Sequence, residues 1–145
     1  GAASSTSATP VNVSGFSAVI TPSSATSTIL VSVSIAFGFT SDAYPYALLT
    51  RNGTSIGTGV NATGNHINTF LSATGTPGSW HNYRYHQAAR EHLDEPASTS
   101  ALTYQIQFAS PYNSIAGYIN RQHNASNAVY ISHPASSITL MEIGV

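Results

Sequence analysis

The chain reads as all-β, a sandwich or barrel, and three observations predict it. Between Thr28 and Phe39, the apolar residues Ile29, Val31, Val33, Ile35, Phe37 and Phe39 alternate with Ser32, Ser34, Ala36 and Gly38, and only Leu30 breaks the pattern. Successive strand side chains point to opposite faces, so this spacing buries one face and wets the other; a helix would scatter the same residues around its circumference. About nine short segments follow one another, separated by turn signals at the interval expected of a sandwich or barrel. The length of 145 residues suffices for one domain with its own core, and no repeat of solenoid length is visible.

Taken in order, residues 1–9 (GAASSTSAT) are small and of low complexity, and Pro10 ends them. We expect a flexible or docking N-terminal arm over residues 1–16 and the sheet domain over residues 17–145. Alternation begins weakly at Val11, Val13 and Phe16 and becomes a short strand over residues 18–21. Pro22-Ser23-Ser24 turns the chain into the long strand. Residues 46–51 are a strand, and Asn52-Gly53 supplies a hairpin turn because both residues tolerate positive φ. Residues 54–57 return, and residues 65–72 are expected as a further strand. Residues 73–79 hold Gly75, Pro77 and Gly78 and read as a loop. Residues 83–93 have a middle of good helix propensity, yet a strand is preferred there. Residues 92–100 form a loop broken by Pro96. Residues 102–108, 117–121, 129–132 and 137–145 complete the strands.

Composition bounds the function. Only 6% of residues are charged, against roughly a quarter in ordinary soluble domains. There is no lysine; Arg51, Arg84, Arg90 and Arg121 are the basic residues. Such a surface is polar but weakly solvating, and it suits a protein that sits in an assembly as well as a plain low-charge domain. A net charge of −1 provides no basic patch, so nucleic acid is not an expected partner. No apolar run reaches membrane-spanning length. Without cysteine there is neither disulfide nor thiolate metal site.

Catalytic chemistry finds little footing. No G-x-S-x-G elbow is present, and Gly57, Gly59 and Gly64 have the wrong spacing for a dinucleotide loop. His81, His86 and His92 lie near Asp94 and Glu95, but no paired ligand spacing occurs. No catalytic residue, metal or cofactor is assigned. Histidines at interfaces would make association sensitive to pH between neutral and about 5. Binding has more support: Trp80, His81, Asn82, Tyr83, Arg84 and Tyr85 form the most aromatic polar stretch, and Tyr112 could join them. Flat rings with polar tips suit sugars and protein surfaces. Alternatively, Tyr83 and Tyr85 pack against the sandwich while Arg84 and His86 face water.

The last strand is apolar on both faces. Ile138 and Leu140 face one way; Met141, Ile143 and Val145 face the other. Tyr46 and Leu48 show the same two-sided character. A single sandwich covers one face of each sheet, so the second face suggests a contact between subunits, or a strand tucked under a loop. Glu142 falls on the face of Ile138 and Leu140. It needs a partner there, Arg51 or Arg121, unless it reaches solvent at the strand end.

The closing segment, Ser136-Ser137-Ile138-Thr139-Leu140-Met141-Glu142-Ile143-Gly144, resembles the closing strand of a group of bacteriophage structural domains. Residues 27–34 (STILVSVS), 48–59 (LLTRNGTSIGTG), 93–104 (LDEPASTSALTY) and 118–121 (YINR) are similar to further stretches of the same pattern. The resemblance covers about residues 18–145; Gly75 to Arg90 departs from it. It implies a jelly-roll β-sandwich of the trimeric tumour-necrosis-factor-like kind on a virion surface, with Tyr46, Leu48, Met141, Ile143 and Val145 at the trimer interface. The expected function is therefore non-enzymatic: a homotrimeric capsid decoration protein or a tail-fibre receptor-binding knob. Its partners would be its own copies, other virion proteins through the arm, and host surface glycan. The alternative from a different class is a stand-alone secreted glycan-binding lectin or adhesin.

Overall fold

The computed structural model describes residues 2–39, 43–60, 62–73, 83–111, 115–124 and 126–144. Ten strands follow in order: β1 (Ala3–Ser5), β2 (Val11–Ile20), β3 (Thr28–Phe39), β4 (Tyr46–Arg51), β5 (Thr54–Ile56), β6 (Leu71–Ser72), β7 (Tyr85–Asp94), β8 (Leu102–Ala109), β9 (Gly117–Ile119) and β10 (Ser137–Ile143). They form two antiparallel five-stranded sheets packed as a β-sandwich, with no α-helix among the described residues.

The first sheet is organised by β3. Its whole length pairs on one side with β7, from Ile29 opposite Asp94 to Gly38 opposite Tyr85. On the other side it pairs first with β10 and then, at Phe37–Phe39, with β9, to whose far edge β1 adds. The second sheet runs β2-β8-β4, and β5 and β6 share the far edge of β4. The alternation in β3 is realised: Ile29, Val31, Val33, Ile35 and Phe37 are fully buried and meet Leu49, Tyr104, Ile106 and Phe108 across the core. Phe37 and Phe108 pack with ring centroids 6.2 Å apart.

Local chemistry sets several turns. Asn52 (φ 48°) and Gly53 (φ 86°) make the left-handed pair that a two-residue hairpin needs. Asn52 is held further, because its N–H donates to Thr103 O and its Oδ1 accepts from Thr103 N–H, both at 2.8 Å. In β2 the register slips between Asn12 and Ser17, which lets both Val13 and Phe16 point inward. The Gln105 amide donates to the carbonyls of Val13 and Phe16, which this bulge would otherwise leave unpaired.

Two expectations are corrected, and a third, the strand preferred over residues 83–93, is met over Tyr85–Asp94. The flexible or docking arm expected over residues 1–16 is, in its described residues 2–16, tied to the sheets: Ala3–Ser5 pair with β9, Ser110 N–H donates to Ser7 O, and residues 11–16 belong to β2. Backbone ladders need no large side chains, so a low-complexity segment can still close a sheet edge. Residues 65–70 and 129–132 form no strand, because only Leu71 and Ser72 reach β4 and no neighbour pairs with 129–132. Residues 85–94 are strand despite their helix propensity, since continuous pairing with β3 outweighs a local preference.

One ion pair occurs among the described residues, and it crosses the sandwich. Arg51, at the end of β4, places Nη1 2.7 and 2.8 Å from the two carboxylate oxygens of Asp94, at the end of β7. Tyr104 of β8 donates its hydroxyl to Asp94 Oδ2 at 2.6 Å. Burial first, then the Asp94 hydrogen bond and charge, push the Tyr104 hydroxyl well above its usual value.

The expected pairing of Glu142 with Arg51 or Arg121 is not formed. Arg51 is held by Asp94, and the Arg121 guanidinium lies 4.6 Å from the centre of the Tyr118 ring. Glu142 instead accepts the N–H and the hydroxyl of Ser23, each at 2.7 Å, which ties the turn after β2 to the last strand. The hydroxyls of Ser27 and Ser23 and the Ser23 N–H draw its carboxyl below the ordinary 4.5. The folded chain thus binds this proton less readily than the unfolded chain. The resulting stability is complete above 4.5 and is lost as pH falls through the lower folded value. Glu142→Gln should accordingly flatten the acid side of a thermal-stability profile. A profile of unchanged slope below 4.5 would show that the tie contributes nothing.

Candidate functional site

The outer face of the β3 sheet is the candidate site, and its two halves are treated differently by the chain. The register builds the first half directly. Leu30 stands between Met141 of β10 and Leu93 of β7, so three large apolar side chains form a row across three strands. Ile143 lies one step along β10, opposite Thr28. These side chains are open: Leu93 is 59%, Met141 57% and Ile143 43% exposed. The next rows are small and polar, Thr139–Ser32–Glu91 and then Ser137–Ser34–Ala89. An open depression of about 500 Å³ beside the apolar row is lined by Leu30, Glu91, His92 and Leu93.

The second half is covered by the chain itself. Gly38 sits between Tyr118 of β9 and Tyr85 of β7. Its missing side chain makes a slot into which the Arg121–Gln122 backbone settles; a Cβ there would stand 2.0 Å from the Arg121 carbonyl oxygen. Around this seat, Tyr118 Oη lies 2.9 Å from His123 Nδ1, and the Gln122 side-chain amide donates to the Tyr83 carbonyl. Asn124 Nδ2 donates to the Tyr83 hydroxyl at 2.9 Å, and Tyr130 meets Tyr83 edge-on with ring centroids 5.5 Å apart.

Of the expected binding residues, Tyr83 and Tyr85 are half-buried and Arg84 is exposed. Trp80, His81, Asn82 and Tyr112 lie outside the described residues, as does Val145 of the expected interface. The expected interface is divided. Met141 and Ile143 are on the β3 sheet, whereas Tyr46 and Leu48 are on the outer side of the β4 sheet. Tyr46 is moreover buried, its hydroxyl 3.4 Å from Ala8 O under the N-terminal segment. In β4 the chain thus covers Tyr46 and leaves Leu48 half-buried, whereas in β10 Met141 and Ile143 stay exposed.

Sequence reasoning missed Leu30 and Leu93, although Leu30 was the single exception in an otherwise regular strand. It also missed Tyr130 and Asn124, which only the folding back of the long connection brings to Tyr83. Among the described residues no three His, Asp or Glu side chains are grouped to hold a metal ion. No protein-family model matches this chain, and no curated protein matches it significantly.

Proposed function

We propose that this chain is a non-enzymatic structural protein of a bacteriophage particle surface, a jelly roll assembled as a homotrimer through the outer face of its β3 sheet. The observation that carries the proposal is the bare row Met141–Leu30–Leu93 with Ile143 beside it. Large side chains lined up across three strands are costly to leave in water, and a second copy covers them without a change in the fold. The strand orders β10-β3-β7 and β2-β8-β4 agree with the jelly roll that the resemblance of the closing segment implies. Low charge agrees too, since few charged groups have to be desolvated when copies meet.

On the particle the trimer serves as a decoration protein or a fibre-tip knob, facing outward after release from the host. Because Ala3–Ser5 are paired within the chain, the exposed Thr6, Ala8 and Thr9 are left to touch other virion proteins. Sedimentation equilibrium at tens of micromolar should give three times the chain mass. Met141→Asp combined with Leu93→Asp should give a folded monomer, as both side chains are exposed in the single copy. A wild-type monomer or dimer, or a trimer indifferent to both charges, would overturn the proposed assembly.

A further inference from the structure

We infer that the patch made by Tyr83, Tyr130 and Asn124 is a carbohydrate-binding site, one that takes a pyranose ring against the exposed ring of Tyr130. The patch goes beyond the assembly interface and is built from different residues. Its support begins with the connection between β9 and β10, residues 120–136. Loops of more than about 12–15 residues without secondary structure are uncommon in compact domains and are usually functional. This one is also pinned: the Arg121–Gln122 backbone fills the Gly38 slot, the Ser136 hydroxyl donates to Asn120 Oδ1, and Ala36 N–H donates to Ser136 Oγ. A pinned loop presents its side chains with little ordering cost on binding.

What it presents suits a sugar. Tyr130 is 62% exposed, although its ring is held edge-on by Tyr83. An aromatic ring fixed from one side and open on the other is a stacking surface for the C–H face of a pyranose. Asn124, half-buried and bonded to the Tyr83 hydroxyl, retains a second amide N–H for the directional hydroxyl contacts that decide which sugar binds. Beneath them, Gln122 is 4% exposed, and its Oε1 and the Tyr85 hydroxyl have no hydrogen-bond partner among the described residues. Buried polar atoms are ordinarily satisfied, so this spare capacity sets the patch apart from a merely structural aromatic cluster. Tyr, Asn and Ser, with Arg added, are also the side chains that adaptable recognition loops favour.

The test is saturation-transfer NMR on the full chain with methyl glycosides of glucose, galactose and N-acetylglucosamine and with sialic acid, each at millimolar concentration. The expected result is transfer from protein to at least one sugar, with affinity lowered about tenfold or more by Tyr130→Ala and retained by Tyr130→Phe. The Ala variant should melt at the wild-type temperature, because the ring is mostly in water. A response confined to sialic acid would assign an anionic sugar; a response confined to the neutral glycosides would assign an uncharged one. No transfer to any of the four, or binding equally strong in Tyr130→Ala, would overturn the site. Light scattering on the same samples reports the oligomeric state, so failure here is distinguishable from failure of the trimer.

Discussion

Arg51→Met should lower the stability of the fold by about 3 kcal/mol, the largest loss expected from any single polar side chain here. The reason is what the substitution leaves behind. Asp94 is buried, and without the guanidinium its carboxylate keeps only the Tyr104 hydroxyl. Breaking a buried pair from one side costs about 3–5 kcal/mol, and the partial exposure of Arg51 places this case at the lower end. Tyr104→Phe should cost less, about 1 kcal/mol, since Asp94 keeps its arginine. It should also soften the decline of stability above pH 10. There the unfolded tyrosine ionises while the folded one, its hydroxyl raised by burial and by Asp94, holds its proton. Arg51→Met with Asp94→Leu should recover most of the loss, as apolar replacements of buried pairs often do. Urea unfolding between pH 7 and 11 measures all four proteins. An Arg51→Met loss below about 1 kcal/mol would show that the two sheets are not stapled by this pair.

Gly38→Ala should cost about 3 kcal/mol or displace the loop that follows β9. The added Cβ would stand 2.0 Å from the Arg121 carbonyl oxygen and 3.0 Å from its carbon, and both atoms are backbone. A flexible side chain could swing aside; a carbonyl seated on a sheet cannot. Gly144 makes the contrast, since a Cβ there meets nothing within 4 Å. If the loop lifts instead of the sheet bending, the variant should be cut by protease between residues 120 and 136 much faster than the wild type. It should also lose the Tyr83–Tyr130 patch. Wild-type melting together with wild-type protease resistance would mean that the loop does not rest in the Gly38 slot.

How much of this was legible beforehand differs from element to element. β3 was legible almost to the residue, because a strand buried on one side writes its geometry as a period of two. The hairpin at Asn52-Gly53 was legible because few residues accept its backbone angles. β1 was not: Ala, Ser and Ser carry no hydrophobic signal, and their pairing is backbone to backbone. β7 was legible only as an ambiguity, since its inward side includes His86, Ala88 and His92, and alternation is weak on an edge.

The site divides in the same way. That Met141 and Ile143 face opposite to Ile138 and Leu140 follows from alternation alone. That they are joined by Leu30 and Leu93 depends on register, and register is set by pairing between distant segments. Asp94 looked like half of a loop pair with Glu95. It became the buried partner of Arg51 only because β7 runs three residues into the loop expected over residues 92–100. By itself, then, the sequence determined an all-β fold, its central strand, its tight turn and a last strand apolar on both faces, because these are written in neighbouring residues. Only the tertiary structure decided which strands lie side by side, which arginine meets which carboxylate, and which half of a sheet the chain covers with its own loop. Those outcomes turn on contacts between residues far apart in the chain, where no local period or propensity reaches.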